Sequence, residues 1–584
     1  MPVVRTVRAR WLVLGLIAAV VVMLAALAWV GVRAIMAKGE IDEVTAHIDE
    51  MRQAVSDGDL DKLAVVAEDV APHVERADAL TSDPIWRATE VVPVLGPNLA
   101  AARVSSSQLN VLVNDLALPL MKDLPHLGDG KGGIAVPTLQ SVATTLQGVD
   151  AALQAGQREF AALDLDATLP AVGDGARQLQ KITGQVAPIV HGIAPVAHIA
   201  PGLLGADATR HILMIVQNNA ELRTAGGISG SFVELTADDG HITLKKVASD
   251  AVFPEPKKPV ADVPASTSKL YGDVIATHVQ NTTMPADFAV TADLATAWWK
   301  LHTGETPDVV LSIDPVVLAS LLQATGPVTV SGTTLNADNA VQELLVNAYL
   351  NLDEDQQDPF FEAAATAVFT RLTDGSADPV ALAKALQQPL TDGRISAFSA
   401  RADEQKVLSV SALGGSTSRH VAAGRDAYAV YFNDATGSKM DSFLRTSMTI
   451  GSAECRPDDH RDVLITVRLE SAAPADAGTS LPGPMTGWGL SGTPAGDIST
   501  IVSVAAPRGT FFAGVQLQGK DTRSVNVEDF GFPTSATTVV LKPGEHKTVT
   551  FRFTAAHTGA VSPVLLHTPM MTAPTVSTGK VVCG

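Results

Sequence analysis

Aromatic residues make up only 4% of this 584-residue chain. Its cores must therefore be built from Ala, Val and Leu, with few large rings to anchor them. Cysteine is rarer still: Cys455 and Cys583 are the two present. Neither has a CxxC neighbour or a nearby histidine pair, which excludes a four-ligand zinc site built on them. In an oxidising compartment two cysteines in one domain most simply form a single bridge, and a bridge at the penultimate residue ties down a chain end that otherwise frays. Basic residues are in deficit, with 42 Lys+Arg against 62 Asp+Glu and a net charge of −20. Such a chain lacks the basic face that displaces counterions from a duplex, so nucleic acid is excluded as a partner. The Walker A loop, HExxH and GxSxG are also missing, and with them the P-loop, zincin and nucleophile-elbow chemistries. "GDGKGG" (Gly128–Gly133) meets the dinucleotide glycine spacing in letter only, because helix-like sequence precedes it and "IAVP" follows.

Charge is absent altogether from Trp11–Val32, "WLVLGLIAAVVVMLAALAWVGV". As a helix this stretch is about 33 Å long, enough for a hydrocarbon core of about 30 Å. Trp11 and Trp29 sit near its ends, where indoles favour the interface. Arg5, Arg8 and Arg10 precede it, which places the N-terminus in the cytoplasm and the bulk of the chain outside. "AIMA" (Ala34–Ala37) resembles a signal-peptide cleavage site, but the apolar stretch is too long for a signal peptide. The expectation is a retained single-pass anchor in the cell membrane.

Periodicity divides the rest. Residues 1–37 form a cytoplasmic tip and transmembrane anchor, and 38–205 read as an extracytoplasmic helical bundle or stalk, with apolar residues on one helical face at Ile41, Val44, Ile48 and Met51. The Pro-punctuated "APIVHGIAPVAHIAPGLLG" (Ala187–Gly205) reads as a hinge. From 206 to 422, buried strands such as "HILMIVQ" and "DVVLSID" alternate with helices, which implies an α/β core of a layered sheet with helices. In this region the adjacent Trp298 and Trp299 cannot face the same way, so one is expected in the core and one partly exposed. The Pro-rich Phe253–Lys269 reads as a mobile loop, either lid or linker. Residues 423–584 contain six or more strands separated by Gly/Pro turns, a C-terminal β-sandwich.

"ILMIVQNNAELRTAGGISGSFVELTADDG" (Ile212–Gly240), "DFAVTADLATAWW", "VVLSIDPVVLASLLQATGPVTV" and "NDATGSKMDSFL" (Asn433–Leu444) closely resemble the signature of the domain-of-unknown-function 4012 family. That family has no assigned chemistry. More distantly, the strand, helix and short β element of "VVLSIDPVVLASLLQATGPVTV" is similar to the LytR-CpsA-Psr enzymes, which transfer glycopolymers from a polyprenyl-diphosphate carrier to the bacterial cell wall. That resemblance implies arginines for the diphosphate and an aspartate for Mg2+. Carried over, it leaves Asn218 and Asn219 at the strand end with Arg223 following, and keeps Asp250 as the metal ligand but puts Ser249 at an arginine position. The later arginine cluster falls on Asp353, Glu354, Asp355 and Asp358, which would repel a diphosphate.

Two readings of the motif beginning at Gln217 stay open. In the structural one, Asn218 and Asn219 satisfy a turn, Glu221 pairs with Arg223, and Gly226, Gly227 and Gly230 permit positive φ. In the functional one, these groups and Asp250 bind a ligand at the carboxyl end of a buried strand. The expected function is a membrane-anchored extracytoplasmic envelope protein that binds a cell-wall or surface glycan, or a polyprenyl-linked precursor, without turnover. The alternatives are a divergent glycopolymer phosphotransferase using Arg223, Asp250 and Mg2+, and a purely structural surface protein.

Overall fold

The computed structural model describes residues 3–57 and 59–581. Side chains before Leu14, among them those of Trp11, Arg5, Arg8 and Arg10, and the residue Cys583 lie outside the described part. The chain forms two compact units, Met1–Leu127 with Ala135–Pro201, and Gly128–Ile134 with Gly202–Gly584.

The first unit is helical. Its N-terminal helix, Val3–Ala46, is apolar through its middle, where Leu14, Leu16, Ile17 and Val20 to Leu24 are exposed. Further along, Val30, Ala37 and Val44 become buried at seven-residue spacing, the period of one helical face. Helix Leu60–Thr81, capped by the Asp59 carboxylate on Lys62 N–H, packs there, with Val66, Val70 and Val74 around Val44. Two helices among the described residues are long and apolar enough to cross a membrane, the N-terminal one and Pro170–Leu203. The second contributes Ala187, Val190 and Ala194 to a core with Val142, Val149 and Leu153. It also corrects the expected hinge, because the chain stays helical through Pro188, Pro195 and Pro201. Each proline removes one backbone donor, and packing along the Ala187–Ala194 face holds the helix together across the gaps.

The second unit begins with a five-stranded sheet. Its strands are β1 (Arg210–Arg223), β2 (Gly226–Asp238), β3 (His241–Ser249), β4 (Val309–Ile313) and, after a small hairpin of β5 (Val328–Val330) and β6 (Thr333–Leu335), β7 (Ser396–Ser399). The order is β3-β2-β1-β4-β7, with β1 and β4 parallel and the other pairs antiparallel. Leu213 and Ile215 point to one face, where helix Phe288–Thr303 packs, and Ile212 and Val216 point to the other. Helices Pro315–Thr325 and Glu354–Thr373 cover that second face, giving three layers.

Trp298 and Trp299 are both buried, against the expectation of one exposed ring. Phe253 explains this by stacking edge-on to Trp298 and at a tilt to Trp299, so one ring from the Pro-rich segment covers both indoles. That segment is pinned at this end rather than free, and Val260 N–H bonds to Ala276 O further along.

Eleven strands follow: β8 (Ala427–Asp434), β9 (Leu444–Ala453), β10 (His460–Ser471), β11 (Ile498–Ala505), β12 (Phe511–Leu517), β13 (Lys520–Asp521), β14 (Val525–Asp529), β15 (Phe532–Leu541), β16 (His546–Thr558), β17 (Val564–His567) and β18 (Thr575–Thr578). They form two sheets, β13-β12-β16-β10-β9-β18 and β14-β15-β11-β8-β17. Alternate residues such as Val463, Ile465, Val467 and Leu469 meet Tyr428, Val430 and Phe432 in one core between the sheets. Ala220 and Leu222 of β1 belong to that same core.

Candidate functional site

β1 does not end at Gln217. It runs on to Arg223, so the polar motif lies inside a strand and not in a loop. Its pairing with β2 slips there: Asn218 faces Ile228, Leu222 faces Gly227, and the three residues between have no partner on β2. This bulge aims Asn219 and Glu221 away from the ladder. Gln217, Asn218, Asn219, Glu221 and Arg223 are all buried.

Each of these side chains finds its partner within the protein. Asn218 donates from Nδ2 to Tyr349 Oη at 2.6 Å and accepts Ala220 N–H. Asn219 Nδ2 donates to Asp314 Oδ2 and to Pro569 O, both at 3.1 Å. Asp314 also caps helix Pro315–Thr325 and receives Arg394 Nη1 at 2.6 Å. Glu221 accepts from Arg223 Nη2 at 2.9 Å on Oε1 and from Lys439 Nζ at 2.6 Å on Oε2.

Arg223 is used completely. A guanidinium has five N–H donors. Here Nε and Nη2 both reach Asn281 Oδ1, Nη2 also reaches Glu221, and Nη1 reaches Leu222 O and Asp434 O. None is left to bind an anion.

The glycines serve close packing. Gly226 has φ of +144°, where an L side chain is strained, and a Cβ at Gly227 would lie 2.1 Å from Asn218 O. Gly227 N–H is taken by Gln217 Oε1 at 2.7 Å.

Asp250 stands at the half-buried edge of this network, with Ser249 Oγ 3.4 Å from its carboxylate. Buried carboxylates here outnumber the cations Arg223 and Lys439, and their titration reflects it. Burial pushes Asp250 up to about 6, with Lys439 and Gln280 pulling against it and Asp358 and Glu221 adding to the rise. Asp434 is pushed to about 6 by burial and by the charge of Glu221. Asp441, whose Oδ2 accepts Leu222 N–H, rises well above the usual range through burial and the nearness of Asp434. Burial acts on Glu221 in the same sense, but Lys439 and Arg223 outweigh it and hold this carboxyl below its ordinary value. Burial also lifts the Tyr349 phenol to about 12. The cluster holds Glu221 ionised between two cations and raises the carboxyls of its neighbours above their ordinary range.

Among the described residues, three metal-ligating groups converge within 4.8 Å at His211, Glu234 and Glu305, a place that does not include Asp250. Sequence reasoning singled out Asn218, Asn219, Glu221, Arg223, Gly226, Gly227 and Asp250, and the second unit brings all of them to one region. It missed Lys439, Asn281, Tyr349, Asp434 and Asp441. Lys439 is 218 residues from its partner Glu221, a separation that no spacing rule can bridge. The single cue was the last of the four signature stretches, Asn433–Leu444, which supplies Asp434, Lys439 and Asp441.

Residues 207–349 match the family model described as a protein of unknown function, DUF4012. This segment is a DUF4012 domain. It contains all of the sequence-singled residues, while Asp434, Lys439 and Asp441 lie beyond the matched segment of the DUF4012 domain. No curated protein matches the chain. Two solved structures show limited likeness. One is a protein from Legionella pneumophila described as nutrient binding (4% identity, 22% of this chain and 43% of that one, TM-score 0.14). The other is an M1 zinc metallopeptidase mutant from Deinococcus radiodurans (14% identity, 24% and 21%, TM-score 0.10). The chain spans less than half the length of either.

Proposed function

We propose that this chain is a single-pass, membrane-anchored extracytoplasmic protein of the cell envelope, and that its DUF4012 domain and sandwich form a rigid, non-catalytic surface. The anchor is Trp11–Val32, with the N-terminus on the cytoplasmic side. One observation carries the non-catalytic reading: all five donors of Arg223 are bound within the protein. A polyprenyl-diphosphate or a phosphoryl group in transit needs free cationic donors, and here Arg223 and Lys439 are committed to Glu221. The phosphotransferase alternative with Mg2+ on Asp250 loses its support on that ground.

A second reading concerns the ligand. Asp250, Tyr349 and the exposed Asp358 make an acidic edge with one aromatic ring. Such an edge suits the hydroxyls of an uncharged glycan better than a diphosphate. Isothermal titration of the full chain in detergent tests both readings. Inorganic pyrophosphate with Mg2+ should give no binding heat, whereas an uncharged cell-wall oligosaccharide should bind and lose affinity in Asp250→Asn. Saturable pyrophosphate binding that disappears in Arg223→Ala would restore the enzyme reading.

A further inference from the structure

The helical unit has an apolar end that its core leaves uncovered. Helix Leu60–Thr81 runs antiparallel to the N-terminal helix, as three contacts in order show. Val44 packs among Val66–Val74, Glu40 meets His73 and Arg76, and Arg33 meets the carbonyls of Ala79 and Leu80. The next turn therefore lies beside Trp29 and Val30. Trp29 Nε1 donates to Asp83 Oδ2 at 3.1 Å, Arg33 pairs with Asp83 at 2.7 Å, and Val30 is enclosed with Trp86 and Leu99.

At that level the turn "VVPVL" presents Val91 and Val94, each 83% exposed. Val94 has φ of +68°, a backbone region that β-branched residues avoid, with its isopropyl group facing outward. A second turn joins the same end through Asn98, which donates to Val94 O and accepts Leu169 N–H at 2.7 Å. Leu169 is 64% exposed. Three apolar side chains thus stand out beside the point where the N-terminal helix first becomes covered by protein. An apolar run from Trp11 to about Val30 already spans a hydrocarbon core of about 30 Å, so that point falls at the bilayer surface.

We propose that the Val91–Val94 turn and Leu169 insert into the outer leaflet beside the anchor, giving the protein a second membrane contact. This rests on reading the N-terminal helix as the anchor. The occupant is the lipid itself, because the patch continues the apolar surface of a helix already bound for the membrane. The contact is apolar and not ionic. Asp164 and the exposed Asp166 flank Leu169, which disfavours anionic headgroups, while Glu90 is engaged by Arg103.

The test uses the full chain in phosphatidylcholine nanodiscs with one spin label at a time, at Val91→Cys, Leu169→Cys, Val21→Cys in the anchor and Val65→Cys on helix Leu60–Thr81, against the unsubstituted chain as background. Collisions with oxygen and with a water-soluble nickel chelate report depth. The Val91 and Leu169 labels should show oxygen-to-nickel ratios several-fold above the Val65 label and close to the Val21 label. Ratios equal to that at Val65, with Val21 still in lipid, would overturn the second contact alone. An aqueous Val21 label would overturn the anchor reading and the second contact with it.

Discussion

Arg223 and Glu221 sit two apart on β1, so their side chains share a face and their pairing is legible from spacing alone. What spacing cannot convey is that Lys439 and Asn281 complete the shell. Removing one member of a buried, hydrogen-bonded pair leaves an uncompensated charge. Arg223→Ala is therefore expected to destabilise the second unit by about 3–5 kcal/mol, read by thermal or denaturant unfolding, and a loss below about 1 kcal/mol would mean that the pair behaves as an exposed one. The carboxyls predict a pH dependence of definite sign. Asp250 and Asp434 titrate near 6 in the fold against an ordinary value of 3.8. Between those values the folded protein binds more protons than the unfolded chain, so these groups make stability fall as pH rises from about 4 to about 6. Glu221, held low, acts in the opposite sense and loses its stabilising effect as pH falls toward its folded value. Asp250→Asn should flatten the decline in melting temperature across pH 4–6, and an unchanged slope would exclude Asp250 as a contributor.

At the scale of elements, strand and helix alternation in the α/β core was readable because buried strands such as "HILMIVQ" are short apolar runs between capped helices. The length of β1 was not. Polar residues in Asn218–Arg223 look like a loop until partners distant in sequence satisfy them. The same limit applies to Trp298 and Trp299, whose covering ring, Phe253, comes from a Pro-rich stretch with no periodic signal. Phe253→Ala should cost about 3–4 kcal/mol as a buried aromatic truncation, while a near-neutral effect would show the segment to be the mobile loop its composition suggests. The turn at Val94 makes a prediction of opposite sign. Val94→Gly relieves a left-handed β-branched residue and should stabilise the helical unit by about 0.5–1 kcal/mol, as a rise in its unfolding midpoint. A fall would mean that the valine is held by packing its exposure does not reveal.

For the whole molecule, the run of strands after Ala422 was legible in the sequence, but the joining of the core between their two sheets to β1 through Ala220 and Leu222 was not. β18 lies parallel to β9 with Thr575 opposite Ser447, and each β18 residue is 128 positions ahead of its partner. Cys455 lies two residues past the end of β9, and Cys583 lies outside the described residues. Non-reducing peptide mapping should recover these two cysteines linked, a closure worth on the order of 4–5 kcal/mol if loop entropy dominates, whereas two alkylated thiols would contradict the bridge. The central claim is that the Arg223 cluster is a saturated internal clamp and not an anion site. It is tested most directly by thermal unfolding of the full chain and of Arg223→Ala in detergent, each with and without pyrophosphate and Mg2+. The clamp predicts a large fall in the unfolding temperature for Arg223→Ala and no shift of the unsubstituted chain by pyrophosphate. An Arg223→Ala protein of unchanged stability, together with a pyrophosphate-dependent rise in the parent that the variant lacks, would contradict it.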